Sequence, residues 1–188
     1  MNTPNKITLL RIILSFFCIG FILADDYASL ITAFILFIVA SLTDILDGFL
    51  ARKKNLTSDL GKLLDPIADK ILIIGVLCAF LQLGIIDAWI VSLIMLREFI
   101  ITGLRLYGLN RGVVLEAKRF GKHKTLSQVT GIFIIFLTLI LIHILPGNKF
   151  LLFLKDSFIP LMMWYIVVIT LSSGVYYFWV NRRAIRTF

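Results

Sequence analysis

The chain has 188 residues, of which 60% are hydrophobic and only 16% are charged, and its mean hydropathy is +0.99. These values lie well above the roughly half-apolar composition of soluble domains, so they exclude an ordinary soluble enzyme and indicate an integral membrane protein. The formal net charge of +8 is explained by membrane topology and by contact with anionic lipid headgroups, so no nucleic-acid partner is expected.

Apolar segments long enough to cross a membrane can be drawn six times along the chain. Because a hydrocarbon core is about 30 Å thick, a crossing helix needs about 20 residues. The predicted spans cover residues 7–24, 30–49, 60–83, 88–107, 125–145 and 158–180. They use most of the sequence, so the prediction is one all-α integral membrane domain over residues 1–188, with six transmembrane helices. The first span contains Arg11 and lacks a convincing cleavage site, so we expect a retained helix and not a signal peptide.

The charged residues between these spans are distributed unevenly over the two sides of the membrane. If the spans alternate in direction, one side receives Lys6, Arg52, Lys53, Lys54, Arg111, Lys118, Arg119, Lys122, Lys124, Arg182, Arg183 and Arg186. The opposite side receives only Lys149 and Lys155 as cations, together with Asp25, Asp26, Asp87 and Asp156. Since Lys and Arg concentrate in cytoplasmic loops, both termini are predicted to be cytoplasmic.

Two pairs of aspartates interrupt the apolar pattern around the predicted boundary between the second and third spans. Asp44 and Asp47 are three residues apart, and Asp65 and Asp69 are four residues apart, so each pair would lie on one face of a helix. A short polar loop, residues 53–59, would make the two helices antiparallel and bring the pairs together near the cytoplasmic boundary. Ionisable groups within a membrane are costly and usually serve a site.

Four carboxylates in a small volume repel one another unless a cation neutralises them. Hard oxygen ligands of this kind suit Mg²⁺, Mn²⁺ or Ca²⁺. Mg²⁺ is commonly shared between protein carboxylates and substrate phosphates, and two ions can bind both oxygens of an in-line phosphoryl displacement. The two pairs therefore predict a divalent-metal site that also binds phosphate.

Small residues and one arginine accompany the aspartates. Gly48, Ala51 and Gly61 have little or no side chain, which allows a ligand or a neighbouring helix to approach closely. Arg52 lies one turn beyond Gly48 and can pair with phosphate oxygens. Close helix packing remains the alternative explanation of each glycine.

The run from Asp44 to Asp69 resembles in full the signature of the CDP-alcohol phosphatidyltransferases. The matching positions are Asp44, Asp47, Gly48, Ala51, Arg52, Gly61, Asp65 and Asp69 with their spacings. The resemblance implies a six-helix membrane fold that is commonly a homodimer, and a reaction that transfers a phosphatidyl or similar group from a CDP-linked donor to an alcohol and releases CMP. It also implies a site facing the cytoplasm, where cytidine nucleotides are found.

The same resemblance assigns roles by position. The metal ligands would be Asp44, Asp47, Asp65 and Asp69, which would hold two divalent ions, Mg²⁺ or Mn²⁺. Asp69 would also be the catalytic base. The residues binding the CDP group of the donor, CDP-diacylglycerol, would be Asp47, Gly48, Ala51, Arg52 and Gly61.

Four further stretches resemble bacterial members of this family that use glycerol 3-phosphate as the acceptor and form phosphatidylglycerophosphate. These stretches are MNTPNKITLLR at the start, LDPIADK at 64–70, LREFIITGLR at 96–105 and GKHKT at 121–125. A phosphate dianion calls for several convergent cations. The predicted acceptor-phosphate ligands are Arg11, Arg97, Arg105, Arg119, Lys122 and Lys124. Arg97 lies well inside an apolar span, which is costly unless it serves a site or pairs with Glu98 or an aspartate.

Two other functions remain as alternatives. A sister transferase with another acceptor, such as a cardiolipin synthase, would share the aspartates but would need a wider apolar entry and no basic pocket. A divalent-ion transporter would use carboxylates near the membrane midplane and would leave the Gly and Ala spacing unexplained. The segment 164–180 is interpreted as interfacial aromatics and packing residues, without a role in the site.

Overall fold

The computed structural model describes residues 3–54, 59–110 and 120–185, and the regular structure in these ranges is helical throughout. It gives the backbone alone for residues 3–7, 44–54, 59–66, 69, 109–110, 120–122 and 183–185. The elements in chain order are α1 (Thr3–Ala24), α2 (Tyr27–Lys54), α3 (Asp59–Gln82), α4 (Ala88–Asn110), α5 (Phe120–Ile144), α6 (Lys149–Phe153), a π-helical turn (Leu154–Phe158) and α7 (Ile159–Ile185).

The long helices α1–α5 and α7 correspond to the six predicted apolar segments. Within the described ranges, two stretches are long and apolar enough to cross a membrane, His123–Ile144 and Lys149–Arg182. Shorter apolar stretches cover Thr8–Ala24, Tyr27–Thr43 and Lys70–Gln82. The all-α prediction is therefore confirmed together with membrane-length apolar helices, whereas six crossings and the orientation of the termini stay predictions.

Local capping explains where two of these helices begin and end. The Asp26 carboxylate accepts hydrogen bonds from the backbone amides of Ala28 and Ser29, both at 3.1 Å, and so caps the start of α2. Hydrogen bonding to Ser29 keeps the pKa of Asp26 below its usual value. At the end of α3, Gly84 has φ +69°, and the amide of Ile85 donates to the carbonyl of Phe80 at 3.0 Å. This is a Schellman ending, which needs a residue that tolerates positive φ.

The connection between α5 and α7 is more helical than the sequence predicts. The expected turn is present at Gly147, which has φ +83°. The Asn148 side chain, however, accepts hydrogen bonds from the amides of Phe150 and Leu151, and this cap starts α6. From there the chain stays helical into α7 through a π-helical turn, Leu154–Phe158, which contains Lys155, Asp156 and Ser157.

Packing divides the described helices into two neighbouring sets. α1 packs along both α2 and α3, whereas α4 and α5 each pack against α7. Phe136 of α5 joins the sets, since its ring centroid lies 5.4 Å from that of Phe34, 5.7 Å from that of Phe37 and 5.2 Å from that of Phe80. The core formed in this way holds α5 against α2 and α3, the helices that carry the aspartate pairs.

Candidate functional site

Both aspartate pairs lie within regular helix, as their spacing predicts. Asp44 and Asp47 belong to α2, and Asp65 and Asp69 belong to α3. Gly48, Ala51 and Arg52 also lie in α2, and Gly61 lies in α3. The side chains of all these residues lie outside the described part of the structure, so the metal and donor assignments remain predictions. The described side chains by themselves include no group of three or more His, Cys, Asp or Glu that could hold a metal ion.

A buried ion-pair network joins α4 and α5. Arg97 donates from its Nη1 to Glu98 Oε1 at 3.1 Å, and the Lys124 ammonium forms an ion pair with the same carboxylate oxygen. The three side chains are each at least 89% buried, with exposed fractions of 11%, 11% and 7%. Two cations thus surround one carboxylate in a place where charge is poorly solvated. Such an arrangement favours binding of a further anion.

α7 completes this network on its other side. Arg97 donates from its Nη2 to Ser173 Oγ at 3.0 Å, and Ser173 Oγ donates to the backbone carbonyl of Thr170 at 2.7 Å. Gln128 of α5 donates from its Nε2 to the Thr170 hydroxyl at 3.4 Å. A continuous polar path therefore runs from α5 through α7 to α4, and Gln128, Thr170 and Ser173 are all buried.

Lys70 links this network to the helix of the second aspartate pair. It follows Asp69 directly in α3, and its charge acts on both Glu98 and Lys124. The cationic network therefore lies near the segment of α3 whose backbone contains Asp69 and Lys70. This proximity is what a reaction between a phosphate-bearing acceptor and a nucleotide donor requires.

The remaining predicted phosphate ligands have different surroundings. Arg11 is 1% exposed in α1, where the Ser15 hydroxyl donates to its backbone carbonyl at 2.7 Å. Arg105, two turns beyond Arg97 in α4, is exposed. Arg119 and the Lys122 side chain lie outside the described residues. Of the predicted cations, the structure therefore brings Arg97 and Lys124 together through Glu98.

The contribution of α7 is not predicted from the sequence. The pattern of residues 164–180 indicates interfacial aromatics and packing, yet Thr170 and Ser173 belong to the polar network. A signal was present, because Thr170, Ser173, Gly174 and Tyr177 recur at helical spacing in an otherwise apolar segment. Such residues also occur in ordinary packing of membrane helices, so the pattern alone does not separate the two roles.

Comparison with known proteins agrees with the motif. Residues 1–175 match the family described as CDP-alcohol phosphatidyltransferase. The chain is 39% identical to the CDP-diacylglycerol--glycerol-3-phosphate 3-phosphatidyltransferase of Bacillus subtilis, with 99% of this chain and 98% of the relative covered. Relatives with the same name are 33% identical in Rickettsia felis, covering 94% and 93%, and 43% identical in Wigglesworthia glossinidia brevipalpis, covering 71% and 75%.

Proposed function

Because the chain belongs to the CDP-alcohol phosphatidyltransferase family, we propose that it transfers the phosphatidyl group of CDP-diacylglycerol to glycerol 3-phosphate, giving phosphatidylglycerophosphate and CMP. It is an enzyme of phospholipid biosynthesis. The observation that carries this assignment is the 39% identity, over nearly the whole of both chains, to an enzyme named for that transfer. The buried cations next to α3 supply the chemistry that a phosphorylated acceptor needs.

The donor half of the site is assigned to α2 and α3. Asp44, Asp47, Asp65 and Asp69 would hold two divalent ions, Mg²⁺ or Mn²⁺, since a set of carboxylate oxygens is what these hard ions prefer. When bound, the ions would stabilise negative charge on the phosphate oxygens. Gly48, Ala51 and Gly61 leave room for the cytidine diphosphate group, and Arg52 pairs with its phosphates. Asp47 serves both the metal and the donor.

Asp69 acts as the general base of the transfer. It accepts the proton of the attacking hydroxyl of glycerol 3-phosphate as the new bond forms between that oxygen and the phosphorus carrying the diacylglycerol. The bond from this phosphorus to the CMP oxygen breaks, and CMP leaves with the electron pair of that bond. The protein contributes alignment of the two substrates and proton acceptance, both of which lower the barrier of an in-line displacement.

The acceptor half of the site is assigned to the cations of α1, α4 and α5. Arg97 and Lys124 bind the phosphate of glycerol 3-phosphate, and Glu98 holds the two cations together. Arg11, Arg105, Arg119 and Lys122 complete the pocket. A cardiolipin synthase would bind a phospholipid acceptor and would not need this concentration of buried positive charge.

The enzyme is a multi-pass membrane protein with its site at the cytoplasmic face. The asymmetry of Lys and Arg over the predicted loops supports six crossings with both termini in the cytoplasm. A lipid donor with a water-soluble nucleotide, and a soluble acceptor, meet naturally at such an interface. The enzyme functions as a homodimer, by analogy with its family.

Replacing Arg105 by Ala tests the acceptor pocket. Loss of one charge-assisted contact to phosphate is expected to raise the KM for glycerol 3-phosphate by about tenfold or more, with the KM for CDP-diacylglycerol changed by less than about twofold. Steady-state kinetics in detergent, with each substrate varied in turn, measure both constants. Arg182→Ala is the matched control, because Arg182 is also exposed and its guanidinium lies 5.2 Å from the centre of the Trp179 ring. Equal effects of Arg105→Ala on both substrates would remove Arg105 from the pocket.

The function itself is tested by its products. Purified protein supplied with CDP-diacylglycerol, Mg²⁺ and glycerol 3-phosphate is expected to form phosphatidylglycerophosphate and CMP in equal amounts, identified by mass spectrometry. CMP released without the phospholipid product would indicate hydrolysis of the donor and would contradict the proposed transfer.

A further inference from the structure

α7 carries a buried polar stripe within an apolar helix. Thr170, Ser173, Tyr177 and Asn181 follow one another at intervals of three or four residues and are each at most 7% exposed. Because residues at this spacing share a helix face, the stripe lies on one side of α7. Polar side chains inside a membrane helix bundle carry an energetic cost that favours a specific partner.

Ser173 holds the guanidinium of Arg97 in one orientation. A hydroxyl has a single hydrogen, and that of Ser173 is used on the Thr170 carbonyl at 2.7 Å. The Oγ lone pairs are therefore presented to Arg97, whose Nη2 donates to Ser173 Oγ at 3.0 Å. The backbone of α7 fixes the direction of the Ser173 hydroxyl. This hydroxyl in turn orients the guanidinium of Arg97.

Gly174 allows the stem of Arg97 to lie against the backbone of α7. A Cβ added at Gly174 would be 3.2 Å from Arg97 Cγ and 3.6 Å from Arg97 Nε. The first of these distances is tighter than ordinary van der Waals contact, so any side chain here would displace the arginine by a few tenths of an ångström. Ser173 and Gly174 together form a seat for Arg97, which we call the α7 seat.

Arg97, held by the α7 seat, keeps N–H groups that can donate hydrogen bonds to a ligand. Its Nη1 donates to Glu98 and its Nη2 to Ser173, and each of these two nitrogens carries a second hydrogen, whereas its Nε is buried against Gly174. A guanidinium offers five N–H donors in a fixed plane. With two of its nitrogens held by α4 and α7, the plane is preorganised before any substrate binds, which reduces the entropy lost on binding.

We propose that Ser173 and Gly174 of α7 are positioning residues that hold Arg97 in the orientation that binds the phosphate group of the acceptor. This inference rests on the proposed function, because glycerol 3-phosphate is the acceptor whose phosphate Arg97 would bind. It gives the last helix of the chain a part in substrate recognition. α7 thereby becomes the third wall of the acceptor pocket, beside α4 and α5.

The proposal is tested by measuring the KM for glycerol 3-phosphate and kcat separately in variants of α7. Ser173→Ala is expected to raise the KM for glycerol 3-phosphate by about tenfold, with kcat and the KM for CDP-diacylglycerol within about twofold of the parent values. Gly174→Ala is expected to raise the same KM by about threefold, because it shifts the arginine without removing its contact. Ser172→Ala and Gly20→Ala are the matched controls, since Ser172 is exposed and a Cβ at Gly20 would meet nothing within 4 Å.

A double-mutant comparison distinguishes positioning of Arg97 from general loosening of the helix bundle. In an Arg97→Ala background, Ser173→Ala is expected to add less than about twofold to the acceptor KM, because the residue it positions is gone. Made in the parent protein, Ser173→Thr keeps the hydroxyl and should therefore keep the parent KM for glycerol 3-phosphate. Full additivity of the two substitutions, or an unchanged acceptor KM in Ser173→Ala, would overturn the proposal.

Separate controls detect misfolded variants and failure of the proposed function. Thermal unfolding and gel filtration in detergent identify any variant that is misfolded, and Gly174→Ala carries the comparison if Ser173→Ala does not fold. If the parent protein uses CDP-diacylglycerol but not glycerol 3-phosphate, the proposed function fails and the inference fails with it. If the parent uses glycerol 3-phosphate and neither α7 variant changes its KM, the inference alone fails.

Discussion

Asp69→Asn is expected to lower kcat by about 10²–10⁴-fold, the usual contribution of a positioned general base. The amide has nearly the same shape as the carboxylate but cannot accept the proton of the attacking hydroxyl. A base acts mainly in the transition state, so with Mg²⁺ at saturating concentration much of the affinity for CDP-diacylglycerol should remain. Turnover is measured as CMP release, and donor affinity is measured separately by binding of labelled CDP-diacylglycerol to the purified variant.

Asp87→Asn is the control for this substitution. Asp87 is exposed in the connection between α3 and α4, outside the motif, and its neutralisation should leave turnover unchanged. An Asp69→Asn enzyme that turns over at nearly the parent rate would show that Asp69 is not the base. The base would then have to be sought among the other motif aspartates.

Removal of divalent ions is expected to have the second large effect. If the four motif aspartates bind metal, dialysis against EDTA should reduce CMP release by about 10³-fold or more, since the charge stabilisation of phosphoryl transfer is lost. Mg²⁺ or Mn²⁺ added back should restore the rate. The four carboxylates, no longer neutralised, would repel one another, so the chelated protein should also unfold at a lower temperature.

EDTA already saturated with Mg²⁺ serves as the control, because it adds the same chelator without removing the ion. Activity and unfolding temperature should both stay at the parent values in this control. An enzyme that keeps full activity after thorough chelation would contradict the metal assignment of Asp44, Asp47, Asp65 and Asp69.

The helices of this protein were largely predictable because their signal is simple. Apolar segments bounded by charge or turn residues gave positions close to those of α1–α5 and α7. The helical ends extend beyond the apolar segments, for example to Lys54 in α2, because a charged residue ends the apolar pattern without ending the helix. α6 was missed, since five residues carry no periodicity and only the Asn148 cap marks their start.

Part of the candidate site is predicted by the sequence motif, and part becomes evident only from the packing of the helices. The aspartates and their small neighbours occupy fixed spacings along two successive helices, so the sequence alone predicts them as a site, and this stays a prediction. The pairing of Arg97 with Glu98 was also foreseeable from their burial in an apolar segment. The seat formed by Ser173 and Gly174 was not, because they are 76 and 77 residues from Arg97 along the chain and nothing local specifies the contact.

The most direct test of the account is the choice of acceptor. CMP release by the purified protein would be followed with CDP-diacylglycerol and Mg²⁺, while glycerol 3-phosphate, serine, inositol and phosphatidylglycerol are offered separately. The account predicts that CMP is released only when glycerol 3-phosphate is the acceptor offered. Release only with phosphatidylglycerol would contradict it, because the acceptor would then be a lipid and not the free phosphate monoester that Arg97 and Lys124 are proposed to bind.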